Sequence, residues 1–239
     1  MPARFFCPDP PKDGVYRLNP AEARHASRVF RLGVGDEIEL FDGAGFATRA
    51  RVIALGNDWV DLTAVGKPVL ELKPPFPLIV ATAAPKADRL DWLVEKATEL
   101  GVERLIPLIC DRSVVEPGPS KISRLERTVI EASKQCGRPR LMAIDPPTRW
   151  SSVVDSFSGS ERFLADAQGC PPSQLPEITG GRSVVLAVGP EGGFTPAERD
   201  QAASASWTSV CLSVNTLRIE TAALAGVTAL FSRAKERGQ

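Results

Sequence analysis

The sequence has almost none of the residue type that most enzymes use for nucleophilic or metal chemistry. It contains one histidine, His25, among 239 residues. A single histidine argues against a histidine-based catalytic triad and against a catalytic zinc site. We expect His25 to lie on a helix surface or at an interface, and we expect the protein to use no metal.

Cysteines are few, and long apolar runs are missing. The five cysteines are odd in number, and no two are closely spaced, which argues against a disulfide framework and a structural zinc site. No stretch approaches the roughly 18 apolar residues of a membrane span. The N-terminal "MPARFFCPDPPKDG" has no apolar core of a secretion signal. The sequence predicts a cytoplasmic protein with no membrane partner.

The chain also has no net charge and few aromatic residues. Its 29 Lys and Arg balance 29 Asp and Glu, so the total charge gives no argument for a nucleic-acid partner. The 6% aromatic content argues against a single-strand stacking platform. Residues 121–140 nevertheless carry more basic than acidic side chains. This segment is either an RNA-binding surface or a solvated helix face with ion pairs.

The first 72 residues are predicted to form a small β-rich domain. Period-two alternation predicts strands over residues 37–41, 47–55 and 59–65, with turns at "DG" and "GND". The preceding "NPAEARHASRVFRL" is predicted to be one short helix. Its three arginines would share a face because their spacings are four and three; they are Arg24, Arg28 and Arg31. The linker "KPPFP" follows this domain.

From residue 73 onward, apolar strand-like runs alternate with amphipathic helical segments. This alternation predicts a mainly parallel sheet with helices on its faces, and such sheets bind ligands at the carboxyl ends of their strands. The last helix, which begins "IETAALAGVTALF", is apolar around most of its circumference. We therefore expect it to be buried or to face a second subunit, and we predict a homodimer.

The stretch "VVLAVGPEGGFTPAERD" predicts a buried strand, a glycine turn and a helix that begins near Pro196. Thr195 as N-cap and Glu198 three residues later form a capping-box pattern. The glycines allow another molecule to approach the backbone closely. A phosphate cradle normally contains a lysine, whereas Glu191 stands at the tip of this turn. A ligand with hydroxyls, an amine or a positive sulfur is favoured, although a plain strand-to-helix connection stays open.

Five segments in this order resemble the RsmE family of 16S ribosomal RNA uridine N3-methyltransferases, which belong to the knotted SPOUT class. They are "KADRLDWLVEKATELGVERLIPL", "RSVV", "EASKQCGR", "GPEGGF" and "LRIETAALA", and "RVFRLGVGDEIELFDG" extends the likeness toward the N-terminus. The resemblance implies a PUA-like β-barrel that binds RNA over residues 1–72 and a SPOUT methyltransferase domain with a trefoil knot over residues 73–239. It also implies S-adenosylmethionine as cofactor, 16S ribosomal RNA or the small ribosomal subunit as substrate, and a homodimer.

The resemblance further implies where the cofactor and the RNA bind. Three loops after strands would hold the cofactor through Leu164, Gly189, Glu191, Gly192, Leu212, Ser213, Val214, Leu217, Thr221 and Ala222. The RNA contacts would come from Arg24, Arg28, Arg31, Lys86, Arg89, Arg112, Arg138 and Arg140. Arg218 and Glu220 would be catalytic, stabilising the developing charge or accepting the uridine N3 proton. Structural roles, as an ion-pair partner for Arg218 and a helix cap for Glu220, remain alternatives.

The third loop departs from the family pattern at two positions. Where the family usually reads "LG.RILRTETA", this chain reads "LSVNTLRIETA", so Ser213 replaces a glycine and Asn215 replaces an arginine. Two alternatives to the uridine N3 activity therefore stay open. One is a catalytically silent RNA-binding assembly factor of the ribosome, and the other is a knotted methyltransferase that acts on another RNA nucleotide.

Overall fold

The chain folds into two compact units in a computed structural model that describes residues 2–71 and 73–235. The first unit combines Met1–Leu72 with Ile130–Leu141, and the second combines Lys73–Val129 with Met142–Gln239. The first unit thus includes residues 130–141 from later in the chain. The domain boundary at residue 72 stays a prediction.

A six-stranded sheet forms most of the first unit. Its strands run in the order β1-β3-β4-β5-β2, with β6 paired to β4, and every pairing is antiparallel except that of β1 with β3. The predicted strands over residues 37–41, 47–55 and 59–65 are confirmed to within one residue. The elements are β1 Arg4–Phe6, β2 Val15–Arg17, α1 Pro20–Arg28, β3 Glu37–Phe41, β4 Phe46–Leu55, β5 Val60–Ala64 and β6 Val69–Leu70.

Helix α1 ends earlier than the sequence predicts. Its last residue is Arg28, and Arg31 lies beyond it with a φ of 52°, in the left-handed region. The helix stops because the chain turns so that the ring of Phe30 packs 5.5 Å from that of Phe5. Arg24 and Arg28 therefore share one exposed helix face, and the prediction that Arg31 lies on the same face is wrong.

The second unit contains a seven-stranded sheet in which all pairings are parallel. Its order is β10-β8-β7-β12-β11-β13, with β9 paired to β8, which confirms the predicted mainly parallel sheet. The trefoil knot stays a prediction. The elements are β7 Leu78–Ala83, α2 Arg89–Glu99, β8 Arg104–Ile109, α3 Pro119–Cys136, β9 Ala143–Ile144, β10 Thr148–Arg149, α4 Trp150–Ser156, β11 Glu161–Cys170, β12 Val184–Val188, α5 Pro196–Ser204, β13 Thr208–Val210 and α6 Ile219–Phe231.

Helix α6 packs one side against the sheet and leaves the other partly exposed. Ala223, Val227 and Leu230 are buried on the packed side. Gly226 lets the helix approach closely, since a Cβ atom there would lie 2.5 Å from the Cδ2 atom of Leu186 on β12. Packing against the sheet therefore accounts for the apolar residues on one side of α6 and leaves those on the other side unexplained by the core of this unit.

Candidate functional site

A cleft of about 220 Å³ lies where β12 and β13 end, beside the middle of β11. Parallel sheets present their ligand sites at this edge, because the carboxyl ends of the strands and the loops that follow them converge there. The residues that line the cleft come from the middle of β11, from the last residues of β12 and β13 and the loops that follow them, and from the start of α6. They are Ala165, Asp166, Ala167, Val188, Gly189, Pro190, Glu191, Gly193, Val210, Leu212, Ser213, Val214, Asn215, Thr216, Leu217, Ile219 and Ala222.

The loop after β12 is a tight glycine turn, residues 189–193, which we call the glycine loop. A Cβ atom on Gly189 would lie 3.0 Å from two ring atoms of Phe194, a side chain that is only 3% exposed. Gly193 has a φ of 67°, which favours glycine, and its N–H donates to the carbonyl of Pro190 at 2.8 Å. Glycine is therefore favoured at position 189 because a side chain has no room there, and at position 193 because of the left-handed backbone conformation.

Helix α5 begins directly after the glycine loop, as the sequence predicts. The Thr195 hydroxyl accepts from the N–H of Glu198 at 3.2 Å, and the Glu198 Oε2 atom accepts from the N–H of Thr195 at 2.7 Å. This capping box satisfies two backbone donors at the helix start. The predicted beginning of a helix near Pro196 is confirmed.

The loop after β13 contains both departures from the family pattern. The Ser213 hydroxyl accepts from the N–H of Asn215 at 3.1 Å, so the two residues form a local turn on the wall of the cleft. Val214, between them, is 100% exposed. An apolar side chain that is fully exposed at the edge of a cleft is available to cover a bound molecule.

The described residues that line the cleft include two acids and no base. The side chain of Asp166 is 10% exposed and lies 3.6 Å from the Nη1 atom of Arg199, while Glu191 is exposed at the tip of the glycine loop. A negative lining disfavours a polyphosphate and favours a ligand with positive groups. S-adenosylmethionine fits this lining because it carries a sulfonium, an amine and ribose hydroxyls.

The structure brings most of the predicted cofactor residues together. Those that line the cleft are Gly189, Glu191, Leu212, Ser213, Val214, Leu217 and Ala222. Three others lie elsewhere: Leu164 is fully buried in β11, Gly192 faces the side chain of Arg112, and Thr221 lies beside Trp92 on another face of α6. Sequence reasoning missed Asp166, which follows the apolar run "RFLA" within β11.

The two predicted catalytic residues differ sharply in exposure. Arg218 is the exposed N-cap residue of α6, between Leu217 and Ile219 of the cleft wall. Glu220 is 7% exposed, and its Oε1 atom lies 3.8 Å from the Nε atom of Arg89. Its Oε2 atom is buried without a hydrogen-bond partner. Arg218 is therefore accessible to a substrate, whereas Glu220 points to α2.

The predicted RNA contacts in the second unit are all exposed. Lys86 and Arg89 flank Ala87, a residue with a φ of 58° at the turn into α2. Arg112 is exposed too, but its Nη1 atom donates to the carbonyl of Gly192 at 2.7 Å. This hydrogen bond connects a predicted RNA contact to the glycine loop.

The predicted RNA contacts in the first unit fall into two groups. Arg24, Arg28 and Arg31 are exposed. Arg138 and Arg140 approach the carboxylate of Glu71, with Nε to oxygen distances of 3.9 and 3.5 Å, and the Arg138 side chain is only 9% exposed. The second group is engaged in ion pairs within its own unit, but it lies beyond the end of α3 and is not the solvated helix face that the alternative interpretation of residues 121–140 predicted.

Other chemistry has little support among the described residues. No group of three or more His, Cys, Asp or Glu in residues 2–71 and 73–235 is placed to hold a metal ion. Within the same ranges, no helix has the length and apolar character needed to cross a membrane. Burial raises the pKa of the Cys7 thiol to about 11 and that of the Cys110 thiol to about 12, so both are poor nucleophiles near neutral pH.

Comparison with known proteins agrees with this geometry. The family described as RNA methyltransferase domain matches residues 72–231, and the RNA methyltransferase PUA domain matches residues 18–64. The chain is 31% identical to ribosomal RNA small subunit methyltransferase E of Synechocystis sp., with 92% of this chain and 74% of the relative covered. The Bacillus subtilis protein of the same name is 27% identical, with 90% and 89% covered.

A solved structure gives the same result for the fold. The ribosomal RNA small subunit methyltransferase E of Neisseria gonorrhoeae, bound to S-adenosyl methionine, superimposes with a TM-score of 0.89 at 28% identity and covers 98% of both chains. The resemblance found in the sequence is therefore confirmed. This chain belongs to the ribosomal RNA small subunit methyltransferase E family.

Proposed function

We propose that this chain transfers a methyl group from S-adenosylmethionine to N3 of a uridine in the 16S ribosomal RNA of the small ribosomal subunit. The observation that carries the proposal is the acidic cleft beside the glycine loop, at the ends of the parallel strands β12 and β13. The relative from Neisseria gonorrhoeae, which shares the fold over 98% of both chains, holds S-adenosyl methionine. The cleft favours a methyltransferase over a silent assembly factor. The choice of uridine N3 over another RNA nucleotide rests on the resemblance of the sequence to the RsmE family.

The cofactor, when bound, supplies an electrophilic methyl group. In this proposal the backbone of Gly189 and of residues 212–217 holds it, and the carboxylates of Asp166 and Glu191 favour its positive charge. Apolar side chains of the wall, Val210, Leu217 and Ala222, exclude water from the reacting groups.

Uridine N3 carries a proton at neutral pH, so that proton must leave before or during the attack on the methyl group. The N3 proton passes to solvent water, and Arg218 is the residue we assign to stabilising the uracil anion that this leaves, because it is exposed between two residues of the cleft wall. Its guanidinium would stabilise the negative charge that develops on the uracil oxygens. Glu220 is too buried to reach the base, and we assign it the role of a positioning residue that acts through Arg89.

The RNA partner is expected to bind through exposed basic residues in each unit. Arg24 and Arg28 share one face of α1, Arg89 is the first residue of α2, and Lys86 lies in the turn before it. Such residues bind phosphates and position the RNA without reading its sequence. The target uridine has to be unstacked for N3 to be reached. A ribosomal substrate also supports the predicted cytoplasmic location.

A second copy of the chain is the proposed partner for the exposed side of α6. Trp92 is 46% exposed and lies beside small and apolar residues of that helix. These residues are Thr221, Leu224, Ala225, Thr228, Ala229 and Ser232. An apolar face rimmed by small side chains allows two helices to approach closely, which supports the predicted homodimer.

Arg218→Lys tests the assignment of the catalytic step. Lysine keeps the positive charge but loses the forked donors, so we expect slower turnover on small ribosomal subunits and an unchanged affinity for S-adenosylmethionine. Arg149→Lys, at an exposed arginine on β10, is the matched control. A variant that methylates at the wild-type rate under saturating substrate would remove Arg218 from the reaction. A wild-type protein that binds no S-adenosylmethionine would contradict the whole proposal and favour the silent assembly factor.

A further inference from the structure

The loop after β8, residues 110–114, is fastened to the glycine loop by Arg112. The Nη1 atom of Arg112 donates to the carbonyl of Gly192 at 2.7 Å, which is a short, charge-assisted hydrogen bond. The stem of the same side chain occupies the space beside Gly192, since a Cβ atom there would lie 3.1 Å from the Arg112 Cδ atom. Both the charge and the shape of Arg112 are thus matched to the glycine loop.

A buried carboxylate fastens the same loop to the start of α5. Glu198 is 4% exposed, and its Oε1 atom accepts from the N–H of Asp111 at 2.9 Å. Its Oε2 atom accepts from the N–H of Thr195. Both carboxylate oxygens therefore accept hydrogen bonds. Through them Glu198 connects Asp111, which precedes Arg112, to Thr195, which follows the glycine loop and Phe194. The positive end of the α5 dipole favours the buried charge.

We propose that Arg112 is a positioning residue of the cofactor site, which holds the glycine loop in its binding-competent conformation, and that Glu198 assists by fixing the loop that carries Arg112. This inference rests on the proposed function, in which the cleft binds S-adenosylmethionine. Four residues of the glycine loop line the cleft, while Gly192 turns its carbonyl to Arg112. Arg112 thus acts on the cofactor site through the glycine loop and does not itself line the cleft.

The expected effect follows from the conformational freedom of glycine. A segment with three glycines in five residues has many alternative backbone conformations once a tie is removed. If only a fraction of molecules keeps the competent conformation, the apparent dissociation constant rises by the inverse of that fraction. A charge-assisted hydrogen bond at a partly exposed position corresponds to a loss of about tenfold, or about 1.4 kcal/mol.

Two substitutions remove one of these hydrogen bonds each and keep a side chain of similar length. Arg112→Met keeps an unbranched stem against Gly192, and Glu198→Gln replaces one acceptor oxygen by a donor. We expect each to raise the dissociation constant of S-adenosylmethionine about tenfold in calorimetry, and Arg112→Lys to restore part of the loss. Arg149→Met removes the same charge from an exposed position on the neighbouring strand and should change the constant less than twofold.

Hydrogen exchange of the protein without cofactor gives a second readout. The amides of Gly189 and of residues 191–194 should exchange faster in Arg112→Met and Glu198→Gln than in the wild type or in Arg149→Met. Wild-type exchange and wild-type cofactor affinity in Arg112→Met would overturn the proposal. So would a rise in the KM for ribosomal subunits alone, because that is what a pure phosphate contact predicts. Should Glu198→Gln fail to fold, as judged by its melting curve, Arg112→Met decides the matter.

Failure of the proposed function gives a different pattern. In that case the wild-type protein itself shows no heat of binding with S-adenosylmethionine. The exchange measurement still reports whether Arg112 orders the glycine loop, so the two ideas are tested separately.

Discussion

Gly189→Ala should disturb the cleft through a steric conflict with Phe194. The Cβ atom of an alanine would lie 3.0 Å from two carbon atoms of the Phe194 ring and 3.3 Å from its backbone nitrogen. The ring has little room to move, because it is 3% exposed and its centroid lies 5.0 Å from that of Trp150. Either the ring or the glycine loop has to shift.

The size of the effect follows from two opposing contributions. Overpacking of one methyl group in a closely packed site costs about 1–3 kcal/mol. The φ of Gly189 is not in the left-handed region, so alanine fits the backbone and contributes about 0.4–1 kcal/mol of stabilisation by restricting the unfolded chain. The midpoints of these ranges, about 2 and about 0.7 kcal/mol, leave a net loss of about 1.3 kcal/mol, which lowers Tm by about 3–5 °C for a domain of this size.

The assay combines thermal melting with calorimetric titration of S-adenosylmethionine. Gly159→Ala is the matched control, because a Cβ atom there meets nothing within 4 Å. We expect Gly189→Ala to melt below both the wild type and the control and to bind the cofactor more weakly. A Tm at or above that of Gly159→Ala, together with unchanged affinity, would refute the packing argument.

Three further predictions concern other parts of the molecule. Replacing Arg24 and Arg28 by Gln should weaken binding to ribosomal RNA and reduce the slope of log K against log salt by about 2 in filter-binding titrations, whereas Arg140→Gln, at an ion pair with Glu71, should leave the slope unchanged. Burial raises the pKa of the Cys110 thiol to about 12, so the stability that the neutral thiol contributes is complete below pH 9 and is lost as the pH rises through 12. Chemical denaturation at pH 7 to 11 should therefore show a fall in the free energy of unfolding that Cys110→Ala makes smaller. An identical fall in the variant would contradict this. Leu224→Glu should convert a dimer to monomers in analytical ultracentrifugation, and an unchanged sedimentation coefficient would exclude the exposed side of α6 as the interface.

Local patterns predicted those elements whose limits are set by local chemistry. Strand β3 and the start of α5 were predicted correctly, because period-two burial and a capping box are visible in a few consecutive residues. The end of α1 was missed because Phe30 packs on Phe5, a contact that no local pattern encodes. Strand β11 extends beyond the apolar "RFLAD" to Cys170, which pairs with Val210 of β13 after an irregularity that begins at Ala165, and no local pattern shows this long-range pairing.

The candidate site was predictable at the level of loops and less so at the level of side chains. A glycine turn after a buried strand identified the glycine loop, yet the sequence could not distinguish Gly189, which lines the cleft, from Gly192, which faces Arg112. That difference depends on a residue 80 positions away. By charge alone, Arg140 and Arg28 were equally good candidates for an RNA contact. The fold pairs Arg140 with Glu71 and leaves Arg28 exposed.

Methyl transfer to small ribosomal subunits that lack the modification tests the central proposal most directly. Purified protein is incubated with such subunits and S-adenosylmethionine labelled in its methyl group, and the 16S ribosomal RNA is then digested to nucleosides for mass spectrometry. We predict label in 3-methyluridine, with Gly189→Ala slower than Gly159→Ala at a limiting cofactor concentration. Label in any other nucleoside, or no label with a wild-type protein that binds the cofactor, would contradict the account.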